Sequence, residues 1–159
     1  MISIQFAPEI AKLSVTPVIE STLLETAAQT AMEEAGAPAD AELTIVISGD
    51  AQLRALNQQY LGIDTPTDVL SFPANETDPD SGSVYLGDII LSYPRAQQQA
   101  VAGGHPLQDE LRLLVVHGVL HLLGYDHAEE GEQARMWAMQ AAILRQLGSA
   151  ITAPGLQTG

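Results

Sequence analysis

Cysteine is absent from this chain of 159 residues. Disulfides and every thiolate metal site are thereby excluded, and any bound metal must rest on His, Asp or Glu. Positive charge is nearly as scarce. Lys12, Arg54, Arg95, Arg112, Arg135 and Arg145 stand against 20 acidic residues, for a formal charge of −14. Affinity for a phosphate backbone rests mainly on Lys and Arg releasing counterions, so composition argues against a general nucleic-acid binder. Such acidity serves solubility, or else attraction to a basic partner. No apolar run approaches the roughly 20 residues that cross a bilayer, so no membrane partner is expected. The opening MISIQFAPEIAKL has no basic stretch leading into a long apolar core, and so no secretory signal is read there. A soluble, cytoplasmic protein is the expectation.

With 46% hydrophobic and 16% charged residues, the chain has enough apolar surface to bury a real core. A single domain over residues 1–150 is expected, with ITAPGLQTG (151–159) as a flexible tail. There is no internal repeat and no linker. Strands are predicted at 2–6 (ISIQF), 42–50 (ELTIVISGD), 68–73 (DVLSFP, closed by Pro73) and 85–92 (YLGDIILS). Between the last two, ANETDPDSGS (74–83) reads as a polar loop, and Gly87 and Asp88 as a turn or bulge serving the sheet. Helical spacing marks 18–35, a segment capped by Asp50 that runs through Leu53, Leu56 and Tyr60, and 95–102. Two more helices are predicted, one over 106–123 and one from about Ala128. The last carries Met136, Met139 or Gln140, Ile143 and Leu147 as its apolar stripe. The expected fold class is α+β, a small four-stranded mixed sheet packed with about five helices.

The helix over 106–123 is apolar nearly all round from Leu111 onward, so it should be buried. It nevertheless carries His117 and His121, and HGVLHLLGYDH (117–127) holds three of the chain's four histidines. Residues four apart share one helix face, so both imidazoles can reach one ion at about 2.0–2.1 Å. Gly124 suits the residue just past the helix end, with positive φ, and its turn lets His127 come back to the same ion. Three neutral nitrogens leave a tetrahedral zinc one open position, the arrangement of a catalytic site. The expectation is a metal site on a buried helix. His105, before Pro106 and outside the cluster, reads as a surface or capping residue.

The spacing His-x3-His-x2-Gly-x2-His is also that of the metzincin peptidases, whose first histidine is followed by a glutamate acting as general base. Here that position is Gly118, which has no proton-accepting side chain. Asp126, adjacent to a ligand, suits a role behind the metal, orienting a ligand or shuttling a proton. The peptidase base is missing from a peptidase-like frame. A glycine in mid-helix costs about 0.5–1 kcal/mol relative to alanine, so another helix or a substrate is expected to approach the backbone at Gly118 closely.

HGVLHLLGYDH, together with NQQYLGIDTPTDVLSFP (57–73) and YLGDIILS (85–92), resembles the YbeY family of zinc-dependent endoribonucleases. The blocks stand in that family's order, and the resemblance spans roughly residues 2 to 148. It implies one α+β metallohydrolase domain, one zinc ion on His117, His121 and His127, and hydrolysis of single-stranded RNA. It further implies a cytoplasmic role in maturation of the 3′ end of 16S rRNA and in ribosome quality control. The chain departs from the family at Leu61 and Ile63, where arginine and lysine are usual and the arginine is thought to contribute to cleavage. Asp64, Pro66, Thr67, Asp68, Ser71 and Phe72 match. Thr67, Asp68 and Ser71 are the expected polar contacts of the cleft, and Arg54 and Arg95 the candidates to replace the missing cations. With so acidic a chain, the expected partners are single-stranded rRNA and the small ribosomal subunit, docked through a basic ribosomal protein. Two alternatives are a ribosome-assembly factor with structural zinc and no enzymatic activity, and a zinc hydrolase of metzincin-like spacing.

Overall fold

The computed structural model describes residues 2–12, 21–125, 129–149 and 151. Four strands and six helices follow in the order β1 (Ile2–Phe6), α1 (Pro8–Ala11), α2 (Ser21–Glu34), β2 (Glu42–Ser48), α3 (Asp50–Leu61), β3 (Val69–Thr77), β4 (Val84–Ser92), α4 (Tyr93–Gly103), α5 (Leu107–Leu122) and α6 (Glu130–Gln146). The sheet order is β1-β2-β4-β3, with β1, β2 and β4 parallel and β3 antiparallel to β4. This is the expected mixed α+β sheet. The sixth helix is the single turn α1, opened by Pro8 in its first turn, where a missing N–H costs nothing.

Alternation drives the sheet. Leu43, Ile45 and Ile47 of β2 are buried, and their neighbours Glu42, Thr44 and Val46 are only half-buried. The helix α5 packs across β3 and β4 and against α2, α4 and α6. That position explains why it is apolar nearly all round: residues from Leu111 through Leu120 are buried except Arg112. Arg112 reaches Asp109 and the Leu147 carbonyl, the latter at 3.1 Å. The helix ends as expected, with Gly124 at φ +96° and the Tyr125 amide donating to the Leu120 carbonyl at 2.9 Å.

Three sequence expectations needed correction. β3 does not close at Pro73 but runs to Thr77, so residues 74–77 are strand and not loop. Proline is tolerated because β3 is an edge strand, with a neighbouring strand on one side only among the described residues. The register shifts between Pro73 and Glu76, where Asn75 takes φ +51°. Asp50 begins α3 rather than capping it, because Gly49 is the cap residue and the Asp50 carboxylate instead accepts from Ser92 Oγ at 2.6 Å. Pro106 caps α5 from outside its first turn. The predicted bulge is present: Glu42 pairs with Tyr85 and Leu43 with Gly87, leaving Leu86 as the extra residue. Gly87 sits at φ +143°, and a Cβ there would lie 2.2 Å from the Phe72 carbonyl oxygen. Among the described residues no helix is long and apolar enough to cross a membrane.

Candidate metal centre

His117 is buried in α5, at 4% exposure, and His121 is half-buried one turn further along. Their rings are 4.6 Å apart at 78°, and the two Nε2 atoms converge to 3.1 Å. Two nitrogens bound to one tetrahedral ion at about 2.0–2.1 Å would sit about 3.3 Å apart, so the spacing fits a shared cation.

The other side of His117 is held by a residue the sequence did not single out. Its Nδ1 lies 3.0 Å from Oε1 of Gln140 in α6. An amide oxygen only accepts, so Nδ1 carries the hydrogen and Nε2 keeps its lone pair. That is how a metal-binding imidazole is usually oriented. Gln140 is 1% exposed, and its Nε2 is buried without a partner among the described residues. An unsatisfied buried amide costs about 1–3 kcal/mol, a cost that structure alone would remove with an apolar residue. A signal was present in the sequence: Gln140 is the polar member of an apolar stripe.

A cavity of about 220 Å³ opens beside His121, walled also by Leu61, Val69, Leu70, Ser71 and Pro73. Ser71 Oγ donates to the Gly118 carbonyl at 3.2 Å, which ties the outer strand β3 to the helix between the two histidines. Ser71 therefore shares the cavity with His121, and Thr67 is half-buried at the entry to β3. Asp68 is placed differently. It is 3% exposed, and its Oδ2 accepts from Gln99 of α4 at 3.4 Å. Gln99 Nε2 also donates to Glu110 at 2.7 Å, and Glu110 meets His105 Nε2 at 2.6 Å. His105 is thus neither a surface nor a capping residue but the half-buried end of a polar chain behind the cleft. Burial pushes the Asp68 carboxyl up to about 6, with Gln99 opposing and the Glu110 charge adding a little.

Neither cation expected to replace the family's basic pair is available as an isolated charge. Arg54 makes a two-pronged pair with Asp64, at 2.8 and 3.2 Å, and Arg95 reaches Asp50 at 3.5 Å. Asp126 and His127 lie outside the described residues. Among the described residues no three His, Asp or Glu side chains are grouped to hold an ion.

The close neighbour of Gly118 in the structure is not another helix but the sheet. A Cβ there would lie 2.8 Å from Ile89 Cγ2, on β4, and Ile89 is fully buried. The same contact leaves no room for a glutamate. Gly118→Ala is expected to destabilise the fold by about 1–3 kcal/mol through overpacking, although alanine favours helix. Denaturant titration should show the penalty vanish when Ile89→Ala is added. An equal penalty in both backgrounds would refute the packing explanation.

Comparison with known proteins adds the last observations. A family profile described as Endoribonuclease YbeY matches residues 8–148. The chain is 45% identical over 137 residues to an endoribonuclease YbeY of Heliobacterium modesticaldum, covering 79% of this chain and 82% of the relative. It is 42% identical over 154 residues to that of Roseiflexus castenholzii, covering 93% of each. The solution structure of TM1509 from Thermotoga maritima superposes with a TM-score of 0.59 at 28% identity, over 92% of this chain and 89% of that one. With a matching profile across most of its length and relatives at 45% and 42% identity, the chain belongs to the endoribonuclease YbeY family.

Proposed function

We propose that the protein is a zinc-dependent endoribonuclease, a single metallohydrolase domain over residues 1–150 that hydrolyses single-stranded RNA. The observation that carries this reading is the pair of converging Nε2 atoms, with one imidazole fixed by Gln140, at the edge of a cavity. His117 and His121 hold the ion from α5, and His127 supplies the third nitrogen. Zinc bound there supplies a Lewis acid suited to phosphodiester hydrolysis. Gln140 keeps the His117 lone pair directed at the ion, and Ser71 holds the β3 edge at the height of the histidines. Thr67 and Ser71 offer polar contacts to the strand in the cleft, with Asp68 supporting that edge from behind. Asp126 orients a ligand or moves a proton.

Within the cell the reading extends to the cytoplasm, to maturation of the 3′ end of 16S rRNA and to ribosome quality control. A charge of −14 opposes free RNA, so delivery comes from docking on the small subunit. The exposed face of α2, where Glu25 and Glu33 border a shallow depression, suits a basic ribosomal protein. A second reading, a ribosome-assembly factor with structural zinc and no catalysis, is favoured by the pairing of Arg54 and Arg95 with carboxylates.

The test is cleavage of labelled RNA by zinc-loaded protein. Single strands are expected to be cut and duplexes spared, with chelation abolishing cleavage and zinc restoring it. Retained binding to small subunits with no cleavage of either RNA would favour the assembly factor. Robust peptide hydrolysis would overturn the argument from Gly118.

A further inference from the structure

The cavity beside His121 is walled largely by apolar side chains, although it is to take a polyanion. Tyr60, Leu61, Ile63, Val101 and Trp137 are the large hydrophobic side chains exposed among the described residues. Three of the five fall within four positions at the end of α3, and Leu61 itself walls the cavity with His121. They are 59%, 61% and 49% exposed, respectively.

This end of the helix is also held rigidly. Gly62 closes α3 at φ +71°, the Ile63 amide donates to the Asn57 carbonyl at 3.4 Å, and buried Asn57 Nδ2 donates to the Thr65 carbonyl at 2.9 Å. Tyr60 meets Phe72 of β3 edge-to-face, with centroids 5.1 Å apart. An aromatic ring braced on one side and open on the other is a surface on which a flat ring can stack. Arg54, on the same helix, is paired with Asp64.

We propose that Tyr60, Leu61 and Ile63 form a platform on which an unpaired nucleobase stacks, so that the cleft selects single-stranded RNA by its bases and not by its phosphates. The inference rests on the ribonuclease reading and names how that site recognises its substrate. Bases within a duplex are stacked on one another and cannot reach such a platform, whereas every unpaired base presents an apolar face. Three side chains are too few to bury the roughly 800 Å² per partner of a stable protein interface, which disfavours a second copy as the occupant.

The test uses the full chain, zinc-loaded, and a short single-stranded RNA with 2′-O-methyl sugars throughout, which removes the 2′-hydroxyl as a nucleophile. Removing the bases while keeping every phosphate is expected to weaken binding about tenfold or more, the scale of one base–aromatic stack. Tyr60→Ala should weaken binding to the normal strand similarly and leave the abasic strand unaffected, while Tyr60→Phe should bind like the wild type. The slope of log affinity against log salt should be shallower than about −1.5, and Leu61→Arg should steepen it by about 0.7. Equal binding of normal and abasic strands would overturn the platform while leaving a ribonuclease that holds phosphates. So would a Tyr60→Ala effect confined to self-association in sedimentation. If the wild type cuts no RNA at all, the ribonuclease reading fails first and the platform with it.

Discussion

Replacing His117 by alanine is expected to abolish zinc-dependent RNA cleavage and to lower zinc affinity more than any change outside the ligand set. His117 is the buried member of the pair, and its lone pair points at His121 across 3.1 Å. The informative companion is Gln140. Residues that orient a metal-binding histidine typically affect affinity or activity by about 10–100-fold, so Gln140→Leu should fall in that range, between wild type and His117→Ala. Gln140→Glu keeps an acceptor facing Nδ1 and should retain most of the affinity. Competition titration with a zinc chelator measures all three. Wild-type zinc affinity in Gln140→Leu would reduce Gln140 to a packing residue.

The second large effect concerns stability, and it is expected from Asp68→Asn. Burial raises the Asp68 carboxyl from 3.8 to about 6. A carboxyl whose pKa is higher folded than unfolded opposes folding when ionised. The penalty is complete above pH 6, shrinks as pH falls toward 4, and is absent near pH 3 and below. At about 1.4 kcal/mol per pKa unit, the asparagine variant should be more stable than the wild type by about 2–3 kcal/mol at pH 8. The advantage should shrink through pH 4 and be lost near pH 3, where the wild-type carboxyl is neutral in both states. Asparagine retains an acceptor for Gln99. Denaturant midpoints at the two pH values decide the matter; a difference that does not shrink on acidification would refute the electrostatic origin. RNA cleavage should change little, because the carboxylate meets α4 and not the cavity wall.

The local chemistry of the site was legible before the fold. Residues four apart on a helix share a face whatever surrounds them, which is why His117 and His121 converge as their spacing implies. Gly124 ends α5 for a reason equally local, a positive φ that only glycine adopts freely. The four strands followed from alternation and turn residues, whereas the extension of β3 past Pro73 did not. Whether proline ends a strand depends on whether its edge is paired, and pairing is not a property of the segment.

What the sequence by itself determined is therefore the set of short-range facts: a charge that opposes free RNA, no thiolate ligand, two histidines on one buried helix face, and a glycine where a peptidase keeps its base. Family membership followed from the same residues. Only the tertiary structure decided that Gln140, 23 residues beyond His117, holds its ring, and that Ile89 is what requires Gly118. It also decided that Asp68 is directed into the α4–α5 layer while Leu61 forms the cavity wall. The reason is physical: helix and strand periods assign a side chain to a face. Which distant side chain meets it there depends on how whole elements pack, to within an ångström, and no pattern within one segment carries that distance.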